Sequence, residues 1–338
     1  MRLWLCLLAV MLGISNTCLA QVLPGFQKNP DPFQVSFAES WSTPLDGKVK
    51  LIESAPILHN DNQNLVELLA GPKPDDPRRT VVVAHWDGFR FATDTSFSFL
   101  GWEGDPLMCG RFVPPVASPP VKGVKKKQEA PITHQLLVAS GIYSWTGGAF
   151  EQICPCPPQV KLAIVHPPNP SLLLGGVADA TQVWQAGETQ YKPVAFQLTP
   201  SEDSYLHYGI GTQKFRGEQD FLPHTHPVQV WWNTRERWII CVQSGSKDPK
   251  RPDMSTGDEV VVYIPRTRNR ERTFWELTSA DDFHESWRSA ALPGHVLDVR
   301  IGDPKNDGHI GMLVLVEDPE TSKRTLIFYT PTELHKVF

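Results

Sequence analysis

The apolar residues of this chain come in short runs, and Pro or Gly interrupts them from end to end: 31 Pro and 24 Gly are spread through 338 residues. A core-forming helix needs its apolar stripe to persist over about ten residues or more, whereas a strand is complete in about five. The punctuation therefore restricts the chain to sheets joined by turns, an all-β fold. Strands are predicted over residues 80–84 (Thr-Val-Val-Val-Ala), 135–139 (Gln-Leu-Leu-Val-Ala), 238–242 (Trp-Ile-Ile-Cys-Val), 259–263 (Glu-Val-Val-Val-Tyr) and 312–316 (Met-Leu-Val-Leu-Val). One helical turn is predicted, over residues 279–289, where Asp281, Asp282 and Glu285 suit the positive end of a helix dipole.

The short runs repeat. Near the start, the polar stretch Asn60-Asp61-Asn62-Gln63-Asn64 leads into Leu65-Val66-Glu67-Leu68-Leu69, a charged turn with Pro, the strand at 80–84 and then Trp86-Asp87-Gly88-Phe89. Near the end, Asp303-Pro304-Lys305-Asn306-Asp307-Gly308 leads into Met312 to Val316, a charged turn from Pro319 to Arg324, and Thr325-Leu326-Ile327-Phe328-Tyr329. Trp86, Trp145, Trp184, Trp231, Tyr263 and Tyr329 mark successive units, at a mean interval of about 49 residues, which is the size of a propeller blade. One small antiparallel sheet cannot bury both faces, but sheets packed radially bury each other's flanks. We therefore expect a six- or seven-bladed β-propeller over residues 21–338 as a single domain, with the N-terminal segment closing the ring. The alternative is a tandem pair of β-sandwiches. In the propeller, the repeated aromatics fill the wedges between blades.

Residues 299–314, Val-Arg-Ile-Gly-Asp-Pro-Lys-Asn-Asp-Gly-His-Ile-Gly-Met-Leu-Val, resemble the blade motif of the FG-GAP/VCBS repeat family: a Gly-Asp pair, a polar loop and an apolar strand. Residues 80–91 and 136–150 are similar to that family's strand and aromatic-Gly turn. The resemblance implies a calcium ion in the loop, held by oxygens at its first, third, fifth and ninth positions. Asp303 and Asp307 match the first and fifth positions and Gly308 the turn glycine, while Lys305 and Gly311 stand where the third and ninth ligands would be. The loop is otherwise an Asx turn closing a hairpin without metal.

Met1-Arg2 followed by an apolar stretch to Ile14, and by Cys18-Leu19-Ala20 before Gln21, reads as a cleavable signal peptide over residues 1–20. The expectation is a secreted or periplasmic protein. Lipid anchoring through Cys18 is the rival, but Ser15-Asn16-Thr17 lack the apolar and small pattern it needs. Cys109, Cys154, Cys156 and Cys241 then remain, and in an oxidising compartment they allow three disulfide pairings among which the sequence does not choose. The net charge of −5 argues against nucleic acid as a partner. Lys125-Lys126-Lys127, in the Pro- and Lys-rich residues 113–131, reads as a solvated loop. No later apolar run approaches the length of a membrane span.

Catalytic signatures are sparse. His224-Thr225-His226 has a metal-binding spacing, but it lies between Pro223 and Pro227 and lacks a further ligand in any recognised pattern. No Gly-x-Ser-x-Gly, His-Glu-x-x-His or phosphate-cradling Gly loop occurs. Asp87, Asp105, Glu218 and Asp220 are available carboxylates without a pattern to pair them. The sequence thus reads as an exported, non-catalytic binding module that offers a loop-lined propeller face to a protein, glycan or envelope partner. The alternative is an extracellular polysaccharide hydrolase or lyase with its site in the central channel. Buried, convergent carboxylates or histidines at the axis would speak for the enzyme, and Ser, Thr and apolar side chains there for the binder.

Overall fold

The computed structural model describes residues 35–59, 62–73, 75–101, 106–110, 112–113, 134–155, 257–265 and 283–334, together with the strands named below between residues 156 and 256. In chain order, β1 (Val35–Leu45) is followed by β2 (Val49–His59), β3 (Asn62–Ala70), β4 (Arg78–Trp86) and β5 (Phe91–Leu100), and then by β6 (Leu107–Gly110), β7 (Gln135–Val138), β8 (Gly141–Trp145) and β9 (Phe150–Cys154). Next come β10 (Val160–His166), β11 (Asn169–Gly175), β12 (Gln182–Ala186), β13 (Tyr191–Val194), β14 (Tyr205–Tyr208), β15 (Thr225–Trp232) and β16 (Arg237–Gln243). The chain continues through β17 (Lys247–Asp248), β18 (Arg251–Ser255), β19 (Glu259–Pro265) and β20 (Phe283–Arg288), and ends with β21 (His295–Gly302), β22 (Gly311–Glu317) and β23 (Arg324–Leu334). All five strands predicted above are present, within β4, β7, β16, β19 and β22.

The fold is all-β, in several antiparallel sheets. β2–β5 and β6–β9 are four-stranded meanders, and β21–β23 form a third, whose outer place is taken by β1. β1 runs antiparallel to β23 from Val35↔Leu334 to Leu45↔Arg324, so the first described strand completes the last sheet. A nine-stranded sheet holds the meander β10–β13 and the strands β14, β15, β16, β19 and β20, joined where β10 pairs with β14. No helix among the described residues is long and apolar enough to cross a membrane. Residues 283–288 correct the expected helical turn: they form β20, where Val262↔Trp287 and Ile264↔His284 pair with β19. Tertiary pairing outweighs the local charge pattern there, because a strand sends Trp287 against Phe37 and Tyr329, at ring separations of 5.2 and 5.4 Å.

Period-two alternation divides the buried side chains between three cores. Met312, Val314 and Val316 of β22 face a core shared with Ile240 and Val242 of β16 and Val260, Val262 and Ile264 of β19. Leu313 and Leu315 of the same strand point the other way, onto Ile52 and Leu65. Val66 and Leu68 of β3 join Val81 and Val83 in a third core closed by Leu107, Leu136 and Val138. The terminal sheet is therefore covered on both faces, which is why β22 reads as an unbroken apolar run. Aromatics pack both within and between sheets: Trp41 stacks on its cross-strand partner Phe328 at 5.0 Å, and Phe97 of β5 meets Tyr143 of β8 at 4.8 Å and Phe150 of β9 at 5.0 Å. Ile327→Val, which removes one methylene from the first core, is expected to lower stability by about 1 kcal/mol in a denaturant titration.

Candidate functional site

Two places concentrate polar chemistry. The first lies where β2 packs between β21 and β6. Arg300, Glu53 and Asp298 each interrupt an apolar strand, and all three are buried, as is Cys109 of β6. The Arg300 guanidinium meets the Asp298 carboxylate at 3.1 Å and Glu53 at 3.6 Å. It also donates to three carbonyls, those of Ile52 (3.1 Å), Val299 (3.3 Å) and Leu107 (3.4 Å). Asp298 accepts the N–H groups of Ile52 and Val299, each at 2.9 Å. Gly302 permits this close approach, since a Cβ there would overlap the Ser54 side chain.

Burial pushes the Glu53 carboxyl up to about 7, against the pull of Arg300. It lifts Asp298 to about 6 in the same way, and raises the Cys109 thiol as well. Buried, convergent carboxylates were the feature expected of an enzyme. Here their side chains are 3% exposed or less, so solvent and substrate are shut out, and the guanidinium is spent on tying three strands together. The cluster is a structural clamp.

The second place is open. At the ends of β2 and β21 the two Asx-rich loops meet: the Asn306 side chain accepts the Gln63 N–H at 3.2 Å and its amide donates to Asn62 at 3.5 Å. A cavity of about 340 Å³ lies there, walled by Asn62, Gln63, His85, Trp86, Asp94 and Lys305, among others. The strained turn that puts Asn306 at φ 54° and Gly308 at φ 84° is closed by Asp303, whose carboxylate accepts the N–H groups of Asp307 (3.1 Å) and Gly308 (2.7 Å). Lys305, at the turn's apex, places its ammonium 3.9 Å from the Trp86 ring centre and 4.2 Å from that of Trp41. On the opposite wall, His85 Nδ1 and Asp94 are 2.7 Å apart.

Asp303 and Asp307 thus share one loop, and their side chains are in contact. Both Asp303 oxygens bind backbone N–H groups, and Asp307 accepts the N–H and ring nitrogen of His309. Burial works against ionisation of Asp307, but the His309 contacts prevail and hold its carboxyl below the ordinary range. Calcium takes six to eight oxygens, and Asp303 and Asp307 would supply two of the loop's positions. Among the described residues no three His, Cys, Asp or Glu side chains gather in a way that could hold a metal. A metal at 100 times its Kd would add about 2.7 kcal/mol; thermal unfolding in calcium and in chelator separates a metal-loaded loop, which would melt lower in chelator, from a metal-free Asx turn, which would not.

The other sequence candidates fall elsewhere. Asp87 caps its own turn, accepting the N–H groups of Arg90 and Phe89, which hold its carboxyl below the ordinary range. Cys109, Cys154 and Cys241 are buried thiols on separate strands. Cys156, Asp105, Glu218, Asp220, His224 and the Lys125–Lys127 run lie outside the described residues, while His226 falls on β15. Sequence reasoning missed Glu53, Arg300 and Asp298; the available signal was charge embedded in two apolar strands, Glu53 in β2 and both Asp298 and Arg300 in β21. It also missed His85 and Asp94, which become neighbours only through the β4–β5 pairing. No family model matches this chain, and no curated protein matches it in sequence.

Proposed function

We propose that this chain is an exported, non-catalytic binding module whose sheets are blades of a degenerate FG-GAP/VCBS-type propeller and whose loop end receives the ligand. The four-stranded meanders, the strand β1 that completes the last sheet, and the contact of β2 with both β21 and β6 support the propeller. The nine-stranded sheet divides at the β10–β14 pair into two further units, which makes five among the described residues, fewer than the six or seven expected.

The observation that carries the binding role is the cavity at the junction of the first and last repeats. Its wall of amides, an indole, imidazoles and an ammonium recognises ligands, while the buried carboxylates are sealed away. The second reading, a polysaccharide hydrolase or lyase, draws on one feature: the His85–Asp94 pair, in which a carboxylate orients an imidazole as a general base requires. A panel of defined oligosaccharides and peptides, screened by calorimetry, tests both. We expect a one-to-one ligand whose binding is lost in Asn62→Trp, which fills the cavity, and whose chain length is unchanged after prolonged incubation. Cleavage that stops in His85→Asn would establish the enzyme instead.

A further inference from the structure

We infer that the loop-end cavity is selective for anionic saccharides, with Lys305 as the residue that receives the acidic group; this rests on the cavity being the ligand site. Among the described residues Lys305 has no carboxylate within ion-pair distance; the charge of Asp307 reaches it only from farther off, and Asp307 and Asp94 make their close contacts with His309 and His85. Its ammonium is held instead by the faces of Trp41 and Trp86, two rings stacked at 6.3 Å. Indole faces fix the position of a cation but do not neutralise it. The result is a positive charge that is half-buried, pre-positioned and, among the described residues, without an ion-pair partner, so an incoming anion gains a charge-assisted hydrogen bond with little further ordering of the side chain.

The remaining wall is suited to sugar hydroxyls, which donate and accept together. Asn62 has an N–H₂ beyond its contact with Asn306, and the Gln63 carboxamide has no hydrogen-bond partner among the described residues. His59 and His85 add ring nitrogens to the wall, and Asp94 is its one carboxylate among the described residues. Amides present donors and acceptors side by side, the complement of the adjacent hydroxyls of a sugar ring. At about 340 Å³ the cavity is at the small end for ligand sites, a fit for a short unit of a chain.

The test is calorimetry on the full purified protein with four probes of matched length at one ionic strength: oligogalacturonate, a sulfated heparin oligosaccharide, a neutral oligogalactoside and oligoglutamate. We expect one or both acidic sugars to bind, the pair telling carboxylate from sulfate, with affinity reduced about tenfold or more in Lys305→Met and kept within about threefold in Lys305→Arg. Thermal unfolding of each variant controls for folding, and Lys305→Arg separates loss of charge from loss of the loop. Equal binding of the neutral sugar, indifferent to Lys305→Met, would overturn the anionic selectivity and leave the binding-module reading standing. Lys305-dependent binding of oligoglutamate in preference to the sugars would overturn the saccharide assignment. Failure of all four probes would overturn the inference, and the binding-module reading would then stand or fall by the wider panel and Asn62→Trp.

Discussion

Replacing Arg300 with Met is expected to remove about 3–5 kcal/mol of stability at neutral pH, the usual cost of stripping the partner from a buried charge. Methionine fills most of the volume, but it leaves Asp298 and Glu53 without their cation and the carbonyls of Ile52 and Leu107 without a donor. Those carbonyls belong to β2 and β6, so the loss falls on the contact between three sheets rather than on one strand. A urea titration at pH 7 should show the full drop. At pH 5 the same substitution should cost less, because both acids then take up protons more readily. A change below about 1 kcal/mol at pH 7 would mean that the guanidinium holds nothing together.

The second large effect is a decline in stability as the pH rises, caused by Glu53. Its carboxyl is raised from 4.5 to about 7, first by burial and then by the Asp298 charge, while Arg300 and the N–H groups of Ser54 and Cys109 act in the opposite direction. Below the unfolded value the acid is protonated in both states and its contribution is complete. Above it, the unfolded chain ionises while the folded protein keeps the proton, so stability falls until the folded group ionises near pH 7. For Glu53 the total is about 3 kcal/mol. The groups facing it are Arg300 and Asp298 from β21 and Cys109 from β6, and Asp298, raised to about 6, acts in the same sense.

Glu67 of β3, also raised to about 7, first by burial and then by the charge of Asp46, adds to the trend. His134, held low by burial, opposes it. The difference between the native protein and Glu53→Gln cancels these other groups. The variant should match the native protein near pH 4 and exceed it by about 3 kcal/mol near pH 8. Parallel stability profiles for the two proteins would show that Glu53 does not titrate in this window.

The strands were readable because their signal is local. Thr80 to Ala84 and Met312 to Val316 are β-branched or apolar runs bounded by turn residues, and nothing distant is needed to make them strands. The similarity of the two chain ends was also readable, and it has a spatial meaning: the loop containing Asn62 and the loop containing Asn306 touch. The helical turn at 279–289 failed because its acidic residues are a weak local preference, which the pairing of Trp287 with Val262 overrides. The clamp was not readable, since Glu53 and Arg300 are brought together by strand order and not by spacing. Asp303 was legible from its motif, and its carboxylate accepts the N–H groups of Asp307 and Gly308 that close the turn.

The pairing of β1 with β23 bears on how the molecule comes into being. A ribosome delivers β1 before all the other described strands and β23 after them, so the pairing edge of β1 stays without its mate while the strands between are made. Closing so long a loop adds little equilibrium cost beyond closing a moderate one, because the entropy grows only with the logarithm of length. It does delay folding, since contacts remote in sequence form late. A chain stopped before β23 therefore carries a bare strand edge at its front, a template for pairing with another such chain. A circular permutant that joins the present ends and opens between β5 and β6 would convert this remote contact into a neighbouring hairpin, so that the terminal sheet could assemble as it emerges.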